Sequence, residues 1–179
     1  MADVSATQGL VVGVADMAIG RESQGRLITY ALGSCIGLSA FDPVARIGGL
    51  LHYMLPQPAD QVDVKTLKPA MYATTGIPLL VRKLTDAGAQ QSRLIVCAAG
   101  GAEILEGAAT MAIGKRNRTT LRKVLWKIGV TLVAEDTGGT TARTMTLDLG
   151  RGDVSIRSRI AETVLWKPGM KTQVTKSEP

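Results

Sequence analysis

The sequence predicts a single mixed α/β (α+β) unit, and three observations predict it. Short apolar runs rich in β-branched residues recur, each closed by turn residues. Two longer stretches carry apolar residues at helical spacing, and the last third alternates β-rich runs with glycine turns. With 179 residues, 45% of them apolar, the chain can bury one sizeable core. Aromatic side chains make up 3%, so Val, Leu, Ile, Ala and Met must fill that core.

Taken in order, Gly9 to Ala18 is short, apolar and valine-rich, and reads as one buried strand. Arg21 to Gly25 is a polar turn, and Arg26 to Ala31 is a strand running into Leu32-Gly-Ser-Cys35. Ile36 to Phe41 ends at the turn starter Asp42-Pro43, and Ile47 to Met54 is a strand stopped by Pro56 and Pro58. Pro56 to about Lys68 is a polar loop. From Pro69 to Gly88, Met71, Ile77, Leu80, Val81 and Leu84 fall at helical spacing, with Pro78 expected to break or restart the helix. Arg93 to Cys97 is a buried strand ending at Gly100-Gly101. A second helix is expected over Arg116 to Ile128, with Leu121, Val124, Leu125 and Ile128 on one stripe and Gly129 as its cap. Val130 to Glu135, Thr140 to Leu149 and Val154 to Ile160 read as an antiparallel meander, joined by Asp136-Thr-Gly-Gly139 and Gly150-Arg-Gly-Asp153. Residues 1–8 are expected to be a flexible start, 9–166 the folded domain and 167–179 a polar tail.

Charge and cysteine usage narrow the function classes. The net charge of +6 is spread over a cluster at Lys115, Arg116, Arg118, Arg122, Lys123 and Lys127 and another at Arg151, Arg157 and Arg159. With one Phe and three Tyr, a base-stacking surface is poorly supported, so no nucleic-acid partner is expected and a solvated face or an acidic protein partner is favoured. Two cysteines do not make a disulfide framework. No leader-like start and no run long enough to span a membrane are present, so the expectation is a cytoplasmic chain without membrane insertion. One histidine precludes a His-rich metal site, and no metal is expected.

The stretch that could carry chemistry is Thr29-Tyr-Ala-Leu-Gly-Ser-Cys35, followed seventeen residues later by His52. A thiol becomes nucleophilic when a neighbouring imidazole accepts its proton. Gly33 and Ser34 place Cys35 at a tight turn, whose backbone N–H groups could face an oxyanion. Thr29 could orient the imidazole. Spacing alone leaves the bland alternative open: Cys35 as an inert core residue, His52 as a structural one and Thr29 as a good β-former. Cys97 reads as core packing, and Arg151-Gly-Asp153 as a hairpin turn.

A wider set of motifs adds to this. Leu32-Gly-Ser-Cys35, Asp42-Pro43, Gly48-Gly-Leu-Leu-His52 and Met54-Leu-Pro56 resemble the chemoreceptor glutamine deamidase family, CheD. The likeness continues through Gly100-Gly-Ala102, Ile113-Gly-Lys-Arg-Asn117, Asp136-Thr-Gly-Gly139 and Leu147-Asp-Leu-Gly150, covering roughly residues 9 to 160 in order. It departs at Ala98-Ala99 and at Glu103-Ile-Leu105, a region expected to shape partner binding. The resemblance implies β-sheets packed in layers with flanking helices, similar to deamidating bacterial toxins. It implies a catalytic Cys35, His52 and Thr29, with Ser34 and Gly33 as candidate oxyanion donors, and no cofactor. It also implies methyl-accepting chemotaxis receptors as substrate, possible hydrolysis of glutamate methyl esters, a CheC-type phosphatase as partner, and a monomer. The alternative is a non-catalytic regulator of that phosphatase, which would not need both Cys35 and His52.

Overall fold

The computed structural model describes residues 9–60, 63, 65–103 and 108–173, the side chains of 108–112 excepted. The expected flexible start at 1–8, the end of the tail at 174–179, and Ile104 and Leu105 lie outside the described residues.

Among the described residues, ten strands form two five-stranded sheets. The outer sheet runs β1 (Gly9–Val11), β3 (Arg26–Leu32), β8 (Arg143–Asp148), β9 (Val154–Arg157), β10 (Glu162–Trp166). The inner sheet runs β2 (Asp16–Arg21), β5 (Ile47–Tyr53), β4 (Ile36–Asp42), β6 (Ile95–Gly100), β7 (Leu132–Thr137). Helices α1 (Ala73–Asp86) and α2 (Ala108–Lys127) cover one face of the inner sheet. The layers are therefore helices, sheet and sheet, as the sequence implied.

Two cores explain the layering. Ile36, Leu38, Leu51 and Tyr53 point from β4 and β5 toward Ile77, Leu80 and Leu84 of α1 and Leu121 and Leu125 of α2. The alternate residues of the inner sheet, with Leu50, Cys97 and Ala99, face Leu27, Met145, Leu147 and Ile156 of the outer sheet. A strand buried on both faces has no polar alternation, which is why β4 and β5 read as continuous apolar runs. Gly48 and Gly49 let β5 be pressed from both layers: a Cβ would lie 2.7 Å from Leu149 Cδ2 at Gly48 and 2.7 Å from Leu80 Cδ1 at Gly49.

Four expectations need correction. The apolar run Gly9 to Ala18 is two strands in different sheets: β1 runs parallel to β3, and β2 runs antiparallel to β5. Ala15, with φ of 57°, turns the chain between them, a bend that composition does not signal. Pro78 sits inside α1 without ending it. It removes one hydrogen bond near the N-terminus, while buried Ile77, Leu80, Val81 and Leu84 hold both sides of it to the sheet. The helix α2 begins eight residues before Arg116, in a stretch of small residues with no apolar stripe to reveal it.

The expected meander is the fourth. The segment read as its first strand, β7, instead pairs parallel to β6, because α2 carries the chain across the sheet before it returns. β8 and β9 do form an antiparallel pair, extended by β10, which the sequence reading left out. Ala98 and Ala99 are fully buried, one in each core, so this departure from the family pattern alters packing and not a partner surface. Past β10, Met170 packs on the core between the sheets and Gln173 N–H donates to the Val133 carbonyl at 2.7 Å. No described helix is long and apolar enough to cross a membrane.

Candidate active site

Two of the candidate residues, Thr29 and His52, come together where the two sheets meet. Thr29 lies on β3 of the outer sheet and His52 on β5 of the inner one, and both are buried. The β3 strand carries a bulge between Thr29 and Leu32, with Ala31 at φ of 57°. This kink ends pairing with β8 and sends the chain across to the inner sheet as the half-buried turn Gly33–Cys35. The β4–β5 register sets Gly37 opposite His52. Cys35 stands two residues before Gly37, in the turn that enters β4.

The Thr29 hydroxyl fixes the state of the histidine. Its Oγ1 lies 2.8 Å from the Val12 carbonyl and 2.7 Å from His52 Nδ1. A carbonyl can accept only, so the hydroxyl proton goes to Val12. Oγ1 must then accept from Nδ1–H, which leaves Nε2 unprotonated. That Nε2 is buried and has no hydrogen-bond partner, so it is an open acceptor, and the thiol is not bonded to it in the resting arrangement. The His52 carbonyl is held separately by the Ala15 N–H at 2.9 Å.

The Gly33–Cys35 turn is tied down through its carbonyls. The Gly33 carbonyl accepts from Ala102 N–H (2.8 Å), the Ser34 carbonyl from Asn117 Nδ2 (2.9 Å) and the Cys35 carbonyl from Gly101 N–H (2.8 Å). A Cβ on Gly100, whose φ is 106°, would stand 2.2 Å from the Cys35 carbonyl oxygen, so a glycine is required where β6 passes the turn. The Gly33 N–H is taken by the Ala31 carbonyl at 2.8 Å.

Electrostatically the pair rests neutral. Burial raises the Cys35 thiol above its ordinary value, opposed by its own backbone N–H. Burial lowers the His52 imidazole to about 4. Near neutral pH the site therefore holds a thiol and an unprotonated ring, which suits base-assisted attack in preference to a standing ion pair. Cys97 is buried, and burial pushes its thiol up to about 12, in keeping with core packing. Among the described residues, no three His, Cys, Asp or Glu groups are placed to hold a metal ion.

Sequence reasoning named these three side chains but not the groups around them. The Val12 carbonyl leaves no trace in composition. Gly100-Gly101 was read as a strand end and a family motif, although its glycines serve the turn. Asn117 extends the Leu121, Val124, Leu125 stripe back by one helical step, so a polar residue on a buried face was the available signal.

A family model described as CheD chemotactic sensory transduction matches residues 54–158. The chain is 50% identical over 143 residues to the "Probable chemoreceptor glutamine deamidase CheD" of Solibacter usitatus (strain Ellin6076), covering 80% of this chain and 85% of that protein. It is 42% identical over 149 residues to a relative of the same description from Syntrophus aciditrophicus (strain SB), covering 83% and 93%. To that of Pyrococcus abyssi (strain GE5 / Orsay) it is 40% identical over 163 residues, covering 90% and 98%.

Proposed function

The chain belongs to the CheD family, and we propose that it hydrolyses the side-chain amide of chemoreceptor glutamines, with Cys35 as nucleophile, His52 as base and Thr29 holding the ring. The observation that carries this reading is the Thr29 hydroxyl between the Val12 carbonyl and His52 Nδ1, which leaves Nε2 free to take a proton.

As the glutamine carboxamide enters, Nε2 removes the Cys35 proton while the sulfur attacks the amide carbon. The oxyanion accepts from the Cys35 N–H, with Ser34 N–H as the neighbouring donor. The Gly33 N–H, engaged by Ala31, is the weaker candidate. The imidazolium, stabilised through Nδ1–H by Thr29, gives its proton to the leaving nitrogen, and ammonia departs. A γ-glutamyl thioester remains on Cys35. Nε2 then takes a proton from water, whose oxygen attacks the thioester carbon, and the thiol and a glutamate are released. No cofactor enters any step. The same thioester would serve hydrolysis of a glutamate methyl ester.

The substrate is taken from the family: the methyl-accepting chemotaxis receptors, on which each deamidation adds one negative charge. A CheC-type phosphatase as partner, a cytoplasmic location and a monomeric state rest on the same resemblance. Incubation of a receptor cytoplasmic fragment with the chain tests the reading. Ammonia is expected from the wild type and not from Cys35→Ala. Equal release by both would defeat it.

A further inference from the structure

Asn117 is fully buried on the face of α2 that also presents Leu121 and Leu125 to the inner sheet. Its side-chain NH2 converges on two main-chain acceptors far apart in sequence, the Ser34 carbonyl at 2.9 Å and the Met54 carbonyl at 2.7 Å. Its own carbonyl accepts from the Tyr53 hydroxyl at 3.1 Å. Ser34 and Met54 are the residues that border the reacting pair. The Ser34 carbonyl belongs to the peptide whose other end is the Cys35 N–H, and Met54 follows His52 by two residues.

The amide can sit only one way round. Two carbonyls can be served by NH2 and not by an amide oxygen, so Oδ1 points away from them, and it is buried without a partner. An unpaired buried acceptor opposes stability, and an apolar residue would continue the stripe without that penalty. What the amide does uniquely is hold two carbonyls at once. A planar trans peptide whose carbonyl is drawn toward Asn117 has its N–H directed the opposite way, away from the helix.

We propose that Asn117 is a positioning residue for the reaction, joining the nucleophile turn to the end of the histidine strand so that the Cys35 sulfur and N–H face one substrate amide alongside His52. It acts through Ser34 and Met54 and touches no substrate. The inference rests on Cys35 being the nucleophile.

The test is alkylation of the full chain with iodoacetamide, mapped by peptide mass spectrometry between about pH 6 and about 9, beside kcat and KM on a receptor fragment. Buried Cys97 is the internal control for a closed fold. Asn117→Ala is expected to slow Cys35 labelling and to lower kcat by about tenfold to a hundredfold, with KM near that of the wild type and Cys97 unlabelled. In Asn117→Asp, an ionised carboxylate would face two carbonyl oxygens, whereas a protonated one can donate to one of them. Its labelling relative to wild type should therefore climb as pH falls, a response that plain loss of packing would not give. Wild-type labelling of Cys35 in both variants, with Cys97 protected, would overturn the proposal. So would exposure of Cys97 in both, which would make Asn117 a folding residue. Labelling needs no receptor, so a wild type with a reactive Cys35 that releases no ammonia would condemn the substrate and leave the positioning role standing.

Discussion

Replacing Thr29 by valine removes one oxygen and almost no volume, yet it should separate orientation of His52 from packing. The Thr29 hydroxyl makes two buried hydrogen bonds, at 2.8 Å to the Val12 carbonyl and 2.7 Å to His52 Nδ1. Both partners would lose it, at about 1–3 kcal/mol for each group left unpaired, so a stability loss of about 2–6 kcal/mol is expected. The catalytic effect has a different origin. A neutral hydrogen bond contributes about 0.5–1.5 kcal/mol and one to a charged group about 1.5–3, and His52 becomes charged only as it takes the thiol proton. The difference, about 1–1.5 kcal/mol, belongs to the transition state and converts to roughly tenfold in kcat. Free choice of tautomer then lowers the population with a bare Nε2, which brings the loss to between about tenfold and a hundredfold. The assay is ammonia release under saturating receptor fragment. Nitrogen-15 spectra of His52 read the tautomer without ambiguity, because the chain has one histidine. Thr29→Ser should keep both kcat and the Nδ1–H tautomer. A folded Thr29→Val enzyme with wild-type kcat and an unchanged spectrum would refute the reasoning.

Four further outcomes follow from the same geometry. Because burial lowers the His52 pKa to about 4, the acid limb of kcat/KM should fall near pH 4 and not near the ordinary histidine value, and a limb at pH 6.5 would contradict a buried neutral base. The unfolded chain binds the His52 proton at a higher pH than the folded one. Stability should therefore decline as pH falls from 6.5 toward 4, by about 3 kcal/mol from this group alone, and denaturant titrations of wild type against His52→Gln would isolate it. At the far end of β4, burial would raise the Asp42 carboxyl, but the Arg93 guanidinium and the N–H groups of Gln90, Ala45 and Val44 hold it well below the usual carboxylate range. Asp42→Ala should cost about 2–4 kcal/mol of stability while leaving the Cys35 labelling rate unchanged. Gly100→Ala should lower both ammonia release and melting temperature substantially, since its Cβ would strike the Cys35 carbonyl 2.2 Å away at a positive φ.

The extent to which the sequence revealed this arrangement follows from the range of each interaction. Thr29, Cys35 and His52 could be singled out because they lie within 24 residues, Cys35 and His52 in short motifs. The strands β3 to β6 were found because each is a compact apolar run ended by a turn. Contacts made by the main chain were invisible. The Val12 carbonyl that sets the Thr29 hydroxyl could have belonged to any residue, and the reversal at Ala15 that delivers it depends on a positive φ in an ordinary alanine. The path of β7 was misjudged for a related reason. Its apolar pattern fits either sheet, and the length of α2, which decides between them, was hidden in a segment without a stripe. Asn117 was legible as a polar residue on a buried face, but its two acceptors, 83 and 63 residues away, were not.

The central claim is that a thioester on Cys35 lies between glutamine and glutamate. Hydroxylamine added during turnover of a receptor fragment tests it most directly, because it competes with water for that thioester and diverts the product to a γ-glutamyl hydroxamate detectable by mass spectrometry. Wild-type chain should yield hydroxamate at the expense of glutamate, and Cys35→Ala should yield neither. Continued formation of glutamate with no hydroxamate at any hydroxylamine concentration would mean that water attacks the amide directly, and the cysteine would lose its role.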